Sequence, residues 1–148
     1  MKLSTKGRYG IKAMVDLALV YGSERLSVNQ LAEKQSISDT YLEQLIAALK
    51  KAKLVDSARG AAGGYTLSRP PEEISVGEVL RALEKTTAVV DCVDKDGSPC
   101  ANACTCSARP LWLKLQQRID GVLNTTTIKD MADDYTAQLE RTLTKKEV

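Results

Sequence analysis

Apolar residues recur every three or four positions through most of this chain, and one short region breaks that rhythm. Over residues 5–22, Ile11, Met14, Ala18 and Tyr21 share one face at helical spacing, with Lys6, Arg8 and Lys12 on the other side and Gly22 as the stop. Ser27 and Gln30 stand at capping-box spacing and open a short second helix through Leu31 and Ala32. Residues 35–38 form a turn, and Ser38 or Asp39 caps a third helix that runs to about Lys51. Its inner stripe is Leu42, Leu45, Ile46 and Leu49; its outer face is Thr40, Glu43, Gln44, Ala47 and Lys51. A strand is expected from Leu54 to Ala58, a glycine-rich tip over residues 59–64, and a return strand over Tyr65–Leu67, ended by Pro70 and Pro71. A second capping box, Ser75 with Glu78, opens a helix that buries Val76, Val79, Leu80 and Leu83. Pro110 then sits near a helix start, ahead of a stripe of Trp112, Leu115, Ile119, Val122 and Leu123. Residues 124–127 interrupt, and a last helix carries Ile128, Met131, Tyr135, Leu139 and Leu143, with residues 143–148 expected to fray.

This order predicts a mainly α fold with a small β-hairpin wing: a winged helix-turn-helix followed by a dimerisation helix. Residues 1–85 are expected to form the winged helix-turn-helix, 86–109 a cysteine-rich loop, and 110–148 the dimerisation helix and a C-terminal helix. A short helix, a tight turn and a second helix of this length is the spacing that lays the second helix in a major groove. Its outer face suits that use, with small residues where backbones approach and side chains that reach base edges. Taken alone, the spacing also fits a plain helical hairpin with a solvated face; the hairpin that follows favours the DNA reader. Arg59 at the tip is placed for a minor groove or a phosphate. The glycines do not make a P-loop, because no GK[ST] ending and no helix follow them. The apolar stripe after Pro110 fits a second copy of the chain, since such readers present paired recognition helices to a near-palindrome.

Charge adds to this picture. Net charge is only +2, yet residues 1–60 carry ten Lys/Arg against six Asp/Glu while the remainder carries eleven against thirteen. The basic half is the half expected to face phosphate. No apolar run approaches the roughly 18 residues of a membrane span, and the N-terminal residues have no apolar signal core, so a cytoplasmic protein is expected. The chain has no histidine, which removes the usual Ser/His/Asp and Cys/His catalytic sets, and no enzyme activity is expected.

All four cysteines, Cys92, Cys100, Cys104 and Cys106, fall within Asp91–Arg109, where Gly97 and Pro99 favour a loop. A loop folds several sulfurs onto one point, whereas a helix would splay them. Thiolates hold Zn²⁺, iron–sulfur clusters or Cu(I), and the spacing lacks the paired C-x2–4-C knuckles of zinc ribbons. Thiol–disulfide exchange, as in a small electron carrier or thiol oxidoreductase, is the chemistry from another class, but no thioredoxin-like βαβ pattern surrounds the loop.

With these parts assembled, the chain resembles the IscR-type winged-helix regulators, a bacterial family that also includes NsrR and CymR, and within it the branch that regulates iron–sulfur cluster assembly. The resemblance is tightest in MKLSTKGRYGIKAMVDLAL, ISDTYLEQL, LVDSARGAAGGYTL and ISVGEVLRALE. It implies a homodimer on double-stranded promoter DNA, a repressor of iron–sulfur assembly genes. It also implies a 2Fe–2S cluster supplied by the iron–sulfur assembly machinery. DNA contacts are implied at Ser38, Thr40, Tyr41, Glu43, Gln44, Arg59 and Gly60. Cluster ligands are implied at Cys92, Cys100 and Cys106. The family's fourth ligand, a histidine, falls on Arg109, which does not ligate as a cation. Cys104, an aspartate among Asp91, Asp94 and Asp96, water or a partner-subunit residue is then the fourth ligand. Other members of the family imply other signals: nitric oxide, cysteine supply or thiol oxidation.

Overall fold

The computed structural model describes residues 1–147 and shows six α-helices and one hairpin among them. They are α1 (Thr5–Leu19), α2 (Val28–Gln35), α3 (Asp39–Lys51), β1 (Val55–Ala58), β2 (Gly64–Leu67), α4 (Val76–Leu83), α5 (Arg109–Thr125) and α6 (Ile128–Lys146), with single 3-10 turns at Pro71–Glu73 and Asp91–Val93. The mainly α fold with a two-stranded antiparallel hairpin is the expected one.

Side-chain caps set most helix starts. Ser4 accepts from the Gly7 N–H for α1 and Ser38 from the Tyr41 N–H for α3, so Ser38 rather than Asp39 is the cap. Reciprocal capping boxes, Ser27/Gln30, Ser75/Glu78 and Thr127/Asp130, open α2, α4 and α6. Helix α5 has no side-chain cap and begins instead with Pro110 in its first turn.

Three expectations need correction. Helix α1 ends at Leu19, not at residue 22, because Val20 leaves helical geometry and residues 20–23 form a turn closed by the Ser23 N–H on the Val20 carbonyl. Tyr21 is therefore exposed, and the buried face of α1 is Gly10, Ala13, Met14 and Leu17. At the other end, α6 continues through Lys146, where fraying was expected from residue 143; Lys145 and Lys146 in its last turn complement the helix dipole. Val148 lies outside the described residues.

The core is formed by Met14 and Leu17 of α1, Leu31 of α2, Leu42, Leu45, Ile46 and Leu49 of α3, Val55 of β1 and Leu80 of α4. Helix α1 touches α4 closely: a methyl built on Gly10 would stand 2.0 Å from Leu83 Cδ1, so a larger residue here would displace the Leu83 side chain. The hairpin register pairs Val55 with Leu67 and Ala58 with Gly64. The C-terminal segment returns to the same core. The Ile128 N–H donates to the Ile74 carbonyl (2.9 Å), the Val76 N–H donates to the Thr126 carbonyl (2.9 Å), and the Ile128 side chain is fully buried. No helix of the described residues is long and apolar enough to cross a membrane.

Ile128→Ala is expected to destabilise the whole fold by about 3 kcal/mol through lost burial and a residual cavity. Denaturant unfolding followed by far-UV circular dichroism checks this; a loss confined to α6 signal, with the main transition unmoved, would contradict it.

Candidate nucleic-acid interface and cysteine loop

On α3 the apolar stripe is buried and Thr40, Glu43, Gln44, Ala47 and Lys51 are all exposed, as the periodicity predicts. Ser38 is exposed, but its hydroxyl oxygen already serves as the cap of α3. Tyr41 is half-buried. Its ring meets Tyr9 edge-on at 6.2 Å between centroids, and Lys12 Nζ lies 5.2 Å from the Tyr9 ring centre. Tyr41 thus belongs partly to the seam between α1 and α3, while Thr40, Glu43 and Gln44 are free to meet a ligand.

Arg59 and Gly60 are exposed at the wing tip, where Gly60 adopts φ +100° and the Gly63 N–H closes the turn on its carbonyl at 2.9 Å. Helix α3 and the hairpin are tied together, since Lys50 Nζ donates to Ser57 Oγ at 2.6 Å. The segment before α2 runs beside the wing: Leu26 and Tyr65 exchange two backbone hydrogen bonds of 3.0 and 2.8 Å. This brings exposed Arg25 next to β2, and a groove of about 910 Å³ lies between residues 22–30 and the wing tip. Arg25 carries no local sequence signal, because its place beside the hairpin depends on a single backbone bridge at Leu26.

Behind this surface, Gln35 at the end of α2 donates through Nε2 to Oδ2 of Asp16 on α1. Asp16 is a buried carboxyl inside an otherwise apolar helix face. Burial pushes its pKa above the usual carboxylate range, against the lowering effects of the Gln35 amide and of the Lys34 and Lys12 cations. The pair fixes α2 on α1, and so fixes the turn that aims α3.

The cysteine loop begins in the 3-10 turn at Asp91–Val93, whose Val93 is buried. Cys92, Cys100 and Cys106 are half-buried and Cys104 is exposed; all four are free thiols. Backbone turns wind residues 100–106 together: the Ala103 N–H donates to the Cys100 carbonyl (3.1 Å) and the Cys106 N–H to the Asn102 carbonyl (2.9 Å). Arg109 Nη1 donates to the Cys92 carbonyl at 2.9 Å, which ties that residue to the first turn of α5. The donor chemistry suits a thiolate-bound cluster, and burial separates the three implied ligands from Cys104. Among the described residues, no three Cys, Asp or Glu side chains converge as a metal site. The aspartates do not join the thiols either; Asp94 is held below the usual carboxylate range by hydrogen bonds from Thr86 and the Asp96 N–H.

The stripe on α5 divides in two. Trp112, Ile119 and Leu123 turn partly inward, whereas Leu115 and Val122 are open, at 41% and 63% exposure, together with Leu111 at 51%. Leu111, Leu115 and Val122 share a narrow face because their spacing returns to one side of a 3.6-residue helix. One five-residue stripe from the sequence is thus two faces, one packed and one bare.

A family profile named Rrf2 and described as an iron-dependent transcriptional regulator matches residues 3–134. The chain belongs to the Rrf2 family. Among curated relatives of this Rrf2 protein, the HTH-type transcriptional regulator CymR of Bacillus subtilis is 39% identical over 132 residues, covering 89% of this chain and 90% of CymR. The regulator IscR of Sodalis glossinidius is 38% identical over 134 residues, covering 90% of this chain and 80% of that one. Among solved structures, CymR, described as the global cysteine regulator of B. subtilis, superposes with a TM-score of 0.76 at 38% identity over 90% of this chain and 97% of that chain. IscR from T. potens gives 0.71 at 41% identity over 91% and 88%. The Rrf2 chain is therefore a winged-helix transcriptional regulator and not an enzyme, as expected.

The raised pKa of Asp16 sets a pH dependence. The folded state holds a proton there more readily than the unfolded chain, whose carboxyl titrates near pH ~3.9. This contribution is fully present below that value and is lost as pH rises through the folded pKa. Asp16→Asn keeps an oxygen for Gln35 and removes the titration. Its melting temperature is expected to gain on the parent as pH rises from about 4 to 7; parallel profiles would show that Asp16 does not titrate this way.

Proposed function

We propose that this regulator is a cytoplasmic homodimer that reads promoter DNA with α3 and the wing and takes its signal from a 2Fe–2S cluster held by Cys92, Cys100 and Cys106. The DNA contacts are Ser38, Thr40, Tyr41, Glu43, Gln44, Arg59 and Gly60, with Arg25 as a further phosphate contact beside the wing. The observation that carries the reading is the placement of the loop: three half-buried thiols in a histidine-free chain, strapped to α5, whose far side is a bare apolar face. A second copy of α5 covering Leu111, Leu115 and Val122 makes the dimer and pairs two recognition helices at a fixed spacing.

When bound, the cluster supplies a multi-thiolate crosslink that responds to iron supply and oxidants. This chain's residues do the rest. Arg59 and Arg25 neutralise phosphate. Gln44 and Thr40 meet base edges. Glu43 accepts from cytosine N4 and is repelled by phosphate or by a wrong acceptor edge, which makes it the selective residue of the face. Iron–sulfur assembly genes are the targets this reading favours, repression is the expected sign, and the iron–sulfur assembly machinery is the donor. Exposed Cys104 favours one other reading, control by thiol oxidation or cysteine supply; a structural relative, CymR of Staphylococcus aureus, is described in an oxidized form.

Protein purified without oxygen is expected to show visible charge-transfer bands with about two irons and two sulfides per subunit. Cys92→Ala should lose the colour and still sediment as a dimer. A parent that stays colourless after anaerobic reconstitution but binds DNA would transfer the reading to thiol sensing.

Arg59→Ala is expected to weaken binding to all promoter fragments and to lower the slope of log affinity against log salt by about one ion or less. Unchanged affinity and slope would take the wing out of the interface.

A further inference from the structure

Helix α5 carries a polar contact beside its packed apolar face. Its one buried residue is polar: Gln116, 9% exposed. The Gln116 side chain behaves like a piece of backbone. Its Oε1 accepts from the Val89 N–H at 2.8 Å, and its Nε2 donates to the Thr87 carbonyl at 3.4 Å and to Asp120 Oδ1 at 2.9 Å. Arg109 stands seven residues earlier and Asp120 four later, so all three fall within about 40° on one side of the helix. Arg109 holds the Cys92 carbonyl at 2.9 Å, and Asp120 reaches Lys95 at 3.6 Å. The segment 87–95 is thus pinned to α5 before, at and after Cys92.

These ties differ in weight. Lys95 is largely exposed, so its ion pair with Asp120 contributes little. The buried Gln116 amide is different, because leaving its hydrogen-bonding groups or those of residues 87 and 89 unpaired is costly. The observed register of the segment satisfies it through residues 87 and 89. Cys92, three residues beyond Val89 and held again by Arg109, has little freedom to move without either breaking these bonds or carrying α5 with it.

We propose that Gln116 and Arg109 are positioning residues that couple the place of Cys92 to the orientation of α5, and so to its bare Leu111–Leu115–Val122 face. The chain spends Arg109 on the Cys92 carbonyl at the position where the resemblance puts a histidine ligand; here it is a strap. The functional meaning of the coupling rests on the reading above that Cys92 carries the signal.

The test uses the full chain, reduced and metal-free, so it does not depend on any cluster. Iodoacetamide alkylation is followed peptide by peptide, with exposed Cys104 as internal control, and emission of Trp112, the chain's one tryptophan and a residue of α5, reports on the helix. In Gln116→Met and in Arg109→Gln, Cys92 is expected to alkylate on the order of tenfold faster with Cys104 unchanged, as a local opening becomes easier. Alkylating Cys92 should shift Trp112 emission in the parent and not in Gln116→Met. An unchanged Cys92 rate in variants with parental circular dichroism would overturn the proposal. So would equal acceleration at Cys104, which means general loosening, or an emission shift that survives in Gln116→Met. A colourless parent protein would remove the cluster reading and leave this test intact.

Discussion

The burial of one face of α1 holds this molecule together. Ala13, Met14 and Leu17 are wholly removed from water, and α1 meets α2, α3, α4, β2 and α6. Hydrophobic burial has no direction of its own, so the aim of each surrounding element comes from other features. Gly10 lets α4 approach, the Asp16–Gln35 bond sets α2, and capping boxes fix where α2, α4 and α6 begin. The outer face of α3 is offered to solvent because its inner face is committed to this core. In the reading proposed above, that outer face of a thirteen-residue helix is the part laid against DNA.

Helix α5 follows the opposite logic. It keeps polar groups inside, where they pair with backbone of the loop arm, and leaves leucines and a valine outside. A monomer gains nothing from such an arrangement, since exposed apolar area of this kind is normally covered. As one side of an interface it is consistent: the outer face supplies non-specific burial, and the inner face supplies a register. The cysteine arm is the element that feels that register, which gives a local event at Cys92 a path to the helix without any long chain of contacts.

The halves of the protein also differ in charge. The excess of Lys and Arg lies in residues 1–60, which hold α3 and the first strand of the hairpin, while the cysteine loop carries Asp91, Asp94 and Asp96. Arg25 lies beside the hairpin whose tip carries Arg59, and the backbone pairing of Leu26 with Tyr65 is what brings it there.

Much of the fold was legible because its signals are local. The stripe Leu42–Leu45–Ile46–Leu49, the boxes at Ser27 and Ser75 and the glycine-rich turn each act within a few residues, and the chain obeys them. The sequence by itself determined the order of helices, the hairpin, the outer face of α3 and the clustering of every cysteine on one loop. It did not determine which side of α5 faces inward, because a stripe spanning 112 to 123 has no preferred partner until α4 and the loop arm are in place. Nor did it show that Ile128 returns to the core, that Arg25 joins the wing, or that Arg109 and Gln116 grip the arm of Cys92. Those pairings close long loops, and only the packed tertiary structure, which makes an unsatisfied buried amide or an unfilled core site costly, decides them.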